Sequence, residues 1–296
     1  MAESSGKTLI ATKAMAEVQK SGGMVALIDA EHAFDPSFAK KLGLNPDELV
    51  VTQPDSMEQA LTIMDALIDS GGIDMIVLDS VAALVPEAEL NAEIGKATIA
   101  LQARVMSPFL RRIIGKASAN KCTCILINQT RSNIGVMYGD PTTTPGGAAL
   151  KFYSSVRVQV SKVGGSQVTK KVGGEDIIIG HTIRVNIKKN KCAPPFRKAE
   201  FPILFDGTPQ DPVRELCDVI LLKGLVPRFK ADGTPDPKGR KFKITVEDEC
   251  IDAGSRDEVF EQLKASQKIQ QYFINILKNP DSIESTEVEY DETDNM

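Results

Sequence analysis

Met24-Val-Ala-Leu-Ile-Asp29 is a short apolar run that stops on a carboxylate, and the chain uses the same device again in Met75-Ile-Val-Leu-Asp79. Thr123-Cys-Ile-Leu-Ile-Asn128 is a third run of the same kind, ending on an amide. Apolar runs of this length without alternation read as strands buried on both faces, as in a parallel sheet covered by helices. Between the first two runs, Ser56-Met-Glu-Gln59 makes a capping box that opens a helix expected over 56–69. Ala60, Leu61, Met64, Leu67 and Ile68 share one face of it. Strands alternating with helices predict a doubly wound α/β core with a mostly parallel central sheet. Ligands of such sheets sit beyond the carboxyl ends of the strands. That places Asp29-Ala-Glu31, Asp79-Ser80 and Asn128-Gln129 where a ligand is expected.

Past residue 151 the pattern changes. Val156-Arg-Val-Gln-Val160 and Thr182-Ile-Arg-Val-Asn-Ile187 alternate with period two, as half-exposed antiparallel strands do. The pairs Gly164-Gly165 and Gly173-Gly174 are expected to punctuate the hairpin connection between them. A turn-rich linker, Asp206-Gly-Thr-Pro-Gln-Asp-Pro212, then leads into a smaller region. That region reads as a helix over 213–222, a Gly/Pro-rich hairpin over 229–244 and a helix over 258–277. The expected organisation is a core over 1–206, a small α+β domain over 207–280, and an acidic disordered tail over 281–296.

Composition excludes several classes. No apolar run approaches the roughly 18–20 residues a membrane span needs, and the N-terminus has no basic or apolar signal region, so no membrane partner is expected. Five Cys without framework spacing fit reduced thiols of a cytoplasmic protein better than a disulfide scaffold. Cys122-Thr-Cys124 has no second Cys pair or nearby His and reads as buried thiols rather than a metal site. The net charge is −5, yet residues 151–198 carry eleven Lys or Arg against two acids, while 281–296 carry seven acids and no Lys or Arg. A basic stretch in an acidic protein is a candidate polyanion face, against the commoner reading of a solvated surface.

Glu3-Ser-Ser-Gly-Lys-Thr8 runs directly into helical spacing at Ile10, Ala14 and Val18. Gly-Lys-Thr opening a helix is the end of a phosphate-binding loop: backbone N–H groups at Glu3, Ser4, Ser5 and Gly6 cradle phosphates, Lys7 reaches the outer oxygens, and Thr8 can hold Mg²⁺. The full pattern asks for Gly where Met1 stands, so the fragment alone balances against an ordinary helix start. The strand ends tip that balance. Asp79 is placed to assist the metal, Glu31 to polarise an attacking water, and Gln129 to bond the terminal phosphate, although each alone reads more readily as a helix cap.

Together with Leu27-Ile-Asp-Ala-Glu-His-Ala33, Val77-Leu-Asp-Ser-Val-Ala-Ala-Leu84, Ile127-Asn-Gln-Thr-Arg131, Ile134-Gly-Val-Met-Tyr138, Ala149-Leu-Lys-Phe-Tyr153 and Lys189-Asn-Lys191, these strings resemble the RecA recombinase family, in order, from residue 3 to about 205. The resemblance implies a RecA-like P-loop NTPase core and an ATP- and Mg²⁺-dependent filament on single-stranded DNA that pairs with homologous duplex DNA and exchanges strands. It implies Glu31, Gln129 and Lys7 as catalytic residues, and Asp35 and Phe38 beside the adenine. Lys189 and Lys191 would reach a neighbouring subunit's ATP.

The segment 130–145 would be a DNA loop, with Arg131 for phosphate and Ile134 and Tyr138 for bases, followed by Gly146 and Gly147. Segment 91–99 would be a first DNA loop, followed by Arg104, Ser107 and Arg111 on one helical face. Pro108 departs from that pattern and is expected to kink the helix. Lys162 and Arg184 match a second DNA site in which Ser161 and Asn186 replace basic residues. The resemblance also implies a helix and strand ahead of the loop, so the chain is expected to be N-terminally truncated, and self-association is expected to need that element. A truncated, catalytically impaired DNA-binding module is the alternative reading. A helicase motor is disfavoured by Lys189-Asn-Lys191 and by the 130–145 segment.

Overall fold

The structure, a computed structural model, describes residues 5–93, 100–132, 142–207 and 211–279. It divides into two compact units, Met1–Pro209 and Gln210–Met296. Among the described residues no helix is long and apolar enough to cross a membrane.

The first unit opens with α1 (Lys7–Lys20), β1 (Val25–Asp29), α2 (Pro36–Lys41) and β2 (Leu49–Thr52). It continues with α3 (Met57–Asp69), β3 (Met75–Asp79), α4 (Glu87–Leu90), α5 (Leu101–Ala119) and β4 (Thr123–Leu126). The parallel sheet runs β2-β1-β3-β4. Every residue of β1 and β3 is buried because the strands are covered on both faces. Ala26, Ile28, Ile76 and Leu78 pack with α3 and α5 through Met64, Ile68, Met106 and Leu110. Val25, Leu27, Met75 and Val77 face the other way, onto Ala11 and Met15 of α1. Register pairs Asp29 with Asp79, so both carboxylates finish at the same edge.

The α3 cap follows its sequence signature with one change. Ser56 Oγ accepts from Gln59 N at 3.2 Å, but the Gln59 side chain takes the Asp55 N–H at 2.7 Å, one residue before the cap. Pro108 does not break α5, which runs as one helix from Leu101 to Ala119. Proline removes an amide donor, but Met106, Leu110 and Ile113 on either side are buried in the core, and that packing holds the helix through it.

Asp65, buried on α3, accepts from Arg112 Nη2, from Arg112 Nε at 3.2 Å and from Lys116 Nζ at 3.0 Å. The Arg112 guanidinium holds this carboxyl below its usual value, Lys116 assisting. A carboxyl lowered by folding stabilises the fold above its unfolded pKa and loses that contribution as pH falls. Asp65→Asn is therefore expected to cost about 1–3 kcal/mol at neutral pH. Melting curves of the variant and the parent should converge on acidification; a difference that persists at low pH would reject the ion-pair origin.

Next come β5 (Arg131–Ser132) and β6 (Thr142–Thr143), antiparallel to one another, then α6 (Ala149–Tyr153). A separate antiparallel sheet holds β7 (Val156–Val172), β8 (Glu175–Asn190) and β9 (Lys198–Leu204). Only Gly173-Gly174 turns the β7–β8 hairpin, with φ of 62° and 94°, as a tight two-residue turn requires. Contrary to the expected role of both glycine pairs, Gly164-Gly165 lies within β7, where register shifts between Lys162 and Gln167. Glycine there accommodates a bulge rather than a reversal.

The second unit contains α7 (Pro212–Leu222), an antiparallel sheet of β10 (Arg228–Phe229), β11 (Lys241–Val246) and β12 (Glu249–Ala253), then α8 (Arg256–Ala265) and α9 (Gln267–Lys278). The single helix expected over 258–277 is two. Ser266, extended at φ −114° and ψ 106°, ends α8, and its hydroxyl caps α9 by accepting from Ile269 N at 3.0 Å. Ile220, Ile251, Val259, Leu263 and Phe273 form the centre of this unit's own core.

Candidate phosphate-binding and catalytic site

The amino end of α1 is built for an anion. Gly6 caps the helix at φ 84°, and a Cβ there would meet Ile203 Cδ1 at 3.2 Å and Ile183 Cδ1 at 3.3 Å, so both conformation and space favour glycine. Ile10 N donates to Gly6 O at 3.0 Å, while the first-turn amides carry the unpaired donors and positive end of a 14-residue helix. Lys7 Nζ donates to the buried Ser5 hydroxyl at 3.1 Å. Glu3 and Ser4 lie outside the described residues.

Three strand ends converge on this helix. Thr8 Oγ1 donates to Asp79 Oδ2 at 2.6 Å. Glu31 Oε1 accepts from Ser80 Oγ at 2.6 Å and from Gln129 Nε2 at 3.2 Å. The Glu31 loop is anchored by Ala30 N donating to Asp79 O at 2.7 Å. Lys7, Thr8, Glu31, Asp79 and Gln129, distant in sequence, thus belong to one cluster. Asp29, Gln53 and Ser80 build its scaffold. Asp29, buried, accepts from Ala33 N at 3.2 Å, Phe34 N at 3.1 Å and Gln53 Nε2 at 2.9 Å, folding the loop that carries Glu31. Asp29 and Ser80 stood at strand ends already marked for a ligand; Gln53 gave no signal until β1 and β2 were side by side.

Burial pushes the Asp79 carboxyl above its usual value; the Thr8 hydroxyl opposes the rise, Glu31 and Asp29 add to it, and Lys7 opposes it. A buried acid held up by neighbouring acids is a site that gains from a hard cation. Thr8 and Asp79 offer the hydroxyl and carboxylate oxygens that Mg²⁺ takes when the remaining positions belong to water and phosphate. The adjoining cavity, bordered by Thr8, Asp29, Glu31 and Asp79, is about 150 Å³. That is below the roughly 300 Å³ of an organic-ligand pocket, and Ala11, Met15, Leu27, Phe34 and Val77 complete a lining that is mostly apolar.

Gln129 also touches the segment that follows it. Asn128 Oδ1 accepts from Gln129 N at 2.8 Å, while Asn128 Nδ2 donates to Pro145 O at 2.9 Å. Together with the pairing of Arg131 and Ser132 to Thr143 and Thr142, this closes the base of the 130–145 segment. Ile134 and Tyr138 lie outside the described residues. Gly146 and Gly147 have φ of 81° and 76°, and a Cβ on Gly147 would stand 2.8 Å from Ala103 Cβ of α5, so close packing already explains glycine there.

Other expected residues stand apart from the cluster. Asp35 caps α2, accepting from Ser37 N at 2.8 Å and Phe38 N at 3.2 Å, and the Phe38 ring would lie 2.8 Å from a Cβ on Gly207. Lys189 Nζ donates to Lys151 O and Phe152 O, both at 2.9 Å, at the carbonyl end of α6. Desolvation lowers the Lys189 pKa, with Lys191 and Arg157 adding to the fall. Lys191 is exposed just beyond β8. Arg104, Ser107 and Arg111 share a face of the unbroken α5. Arg184 pairs with Glu200 of β9 at 2.5 Å, and Lys162 is exposed on β7 opposite Ile183.

Residues 1–208 match the RecA N-terminal domain family. Protein RecA of Azospirillum lipoferum (strain 4B) is 49% identical over 243 residues, covering 81% of this chain and 66% of that protein. Protein RecA of Chlorobaculum tepidum is 48% identical over 267 residues, covering 88% and 75%. Protein RecA of Clostridium acetobutylicum is 54% identical over 204 residues, covering 69% and 57%. The chain therefore spans between 57% and 75% of the length of these three relatives. Among solved structures, the RadB recombinase matches with a TM-score of 0.48 and 18% identity, over 69% of this chain and 84% of that one.

Proposed function

Because this chain belongs to the RecA family, we propose that it is a DNA-dependent ATPase of recombination and repair. In this reading it binds single-stranded DNA as a filament and promotes homologous pairing and strand exchange. The observation that carries the proposal is the double use of Glu31 Oε1, which accepts from Ser80 on the Asp79 side and from Gln129 on the side of the 130–145 segment.

Each residue then has a chemical task. The first-turn amides of α1 and the Lys7 ammonium bind the phosphates. Thr8 and Asp79 hold Mg²⁺, which when bound offsets negative charge on the phosphate oxygens. Glu31 orients water and accepts its proton, with Ser80 fixing the carboxylate. Gln129 bonds either Glu31 or the terminal phosphate, and so registers which is present. Asp35 and Phe38 border the adenine.

DNA contacts fall to Arg104, Ser107 and Arg111 on α5, to Arg131, Ile134, Tyr138, Gly146 and Gly147, and, for duplex, to Lys162 and Arg184. In a filament, Lys189 and Lys191 serve the adjoining subunit's ATP, which requires Lys189 to leave the α6 carbonyls it occupies here.

The test is steady-state ATP hydrolysis by the full chain with and without single-stranded DNA. DNA is expected to stimulate turnover, and Lys7→Ala to remove about 10²–10³-fold of it, as loss of one charge-stabilising donor does. Salt-sensitive DNA binding that ignores nucleotide, without hydrolysis, would replace this reading with that of an impaired DNA-binding module.

A further inference from the structure

Cys122 and Cys124 take no part in the chemistry above, yet they are the two thiols the fold brings together. Two residues apart along an extended chain, their side chains share one face of the sheet. Both pack into the layer made with α3 and α5, Cys122 buried and Cys124 partly so. Their backbone is held at both residues of the turn into β4: Cys122 N donates to Ala117 O at 2.9 Å and Thr123 N to Asp74 O at 2.8 Å. Among the described residues β4 pairs only with β3, and Cys124 is partly exposed.

We propose that Cys122 and Cys124 form a two-sulfur chelating site for soft thiophiles of the trivalent arsenical class. Among the described residues no cluster of three or more His, Cys, Asp or Glu is placed to hold a metal, which excludes a four-ligand zinc site. The Asp74 carboxylate is committed to Met24 N at 2.8 Å.

A direct disulfide fits poorly. Two residues of strand span about 6.6 Å between Cα atoms, close to the roughly 6.8 Å upper limit for a disulfide, and the two Cβ vectors run side by side instead of converging. An atom inserted between the sulfurs relieves both constraints. With an aryl arsine oxide, the As=O linkage is replaced by two As–S bonds, and both thiol protons leave with the oxide oxygen as one water. Arsenic stays trivalent and no oxidant is required. The neighbouring Cys124 draws the Cys122 thiol below its usual value, while Cys122 and burial push the Cys124 thiol up, so Cys122 is the sulfur that attacks first.

The test uses phenylarsine oxide on the pre-reduced full chain, read by intact mass under native conditions. One adduct per chain is expected, resistant to excess monothiol and removed by 2,3-dimercaptopropanol. Cys122→Ser and Cys124→Ser should each abolish it with circular dichroism unchanged, while Cys192→Ser and Cys250→Ser should keep it. Should either serine variant fail to fold, peptide mapping of the parent decides the matter: the arsenical must protect Cys122 and Cys124 together from alkylation. A monothiol-resistant adduct that survives in folded Cys124→Ser, or that forms only in denaturant, overturns the proposal.

Discussion

Glu31→Gln is expected to lower DNA-stimulated ATP turnover by about 10²–10⁴-fold, the contribution of a positioned general base, while nucleotide affinity changes only a few-fold. The substitution preserves shape. A glutamine Oε1 still accepts from Ser80 and Gln129, the two donors that hold the carboxylate now. What disappears is the negative charge that draws the proton from water. Loss of that charge also removes one of the influences raising the Asp79 carboxyl, so binding of Mg²⁺ with nucleotide should not weaken through a displaced Asp79. Turnover and the dissociation constant of a fluorescent ATP analogue, measured on the same preparation, separate the two effects. Turnover within ten-fold of the parent would remove Glu31 from the chemistry.

The second large effect is expected in coupling rather than catalysis. Gln129→Ala should leave DNA affinity without nucleotide unchanged and erase the gain that ATP confers. Coupling between two sites of one protein is ordinarily about 5–150-fold in affinity, and the variant should bring that ratio close to one. The geometry explains why one side chain carries so much. Gln129 Nε2 reaches Glu31 at 3.2 Å, while its own backbone N–H is held by Asn128, whose amide also holds Pro145 O at 2.9 Å across the base of the 130–145 segment. A shift of Gln129 toward a terminal phosphate therefore pulls on both ends of that segment, and alanine has nothing with which to pull. Fluorescence anisotropy at matched salt, with and without a non-hydrolysable ATP analogue, reads the ratio directly. A ratio preserved in the variant would place the coupling elsewhere.

Several corrections share one cause. Pro108, Gly164-Gly165 and Ser266 each break or bend what local patterning predicts, and in each case contacts from elsewhere decide the result. Met106, Leu110 and Ile113 hold α5 through its proline. Pairing with β8 absorbs Gly164-Gly165 as an irregularity in β7. The Ser266 hydroxyl caps a second helix where period alone showed one. The strands β2, β9 and β12 were not anticipated, because each is short or partly exposed and owes its conformation to its neighbour's hydrogen bonds rather than to a buried apolar run.

The interior strands and the helix over 57–69 were legible from residue order alone. Burial on both faces demands unbroken apolar residues, and a helix needs its apolar stripe and cap in consecutive turns; both are local records of a solvent boundary. The ends of those strands also declared the residues with chemical potential. What residue order could not express is proximity between them. Only the parallel register of β1 with β3 sets Asp29 beside Asp79, only the packing of α1 brings Thr8 to that pair, and only folding shows Lys189 resting on the carbonyls of α6. Distances between groups a hundred residues apart are fixed by how layers pack, and no local period encodes them.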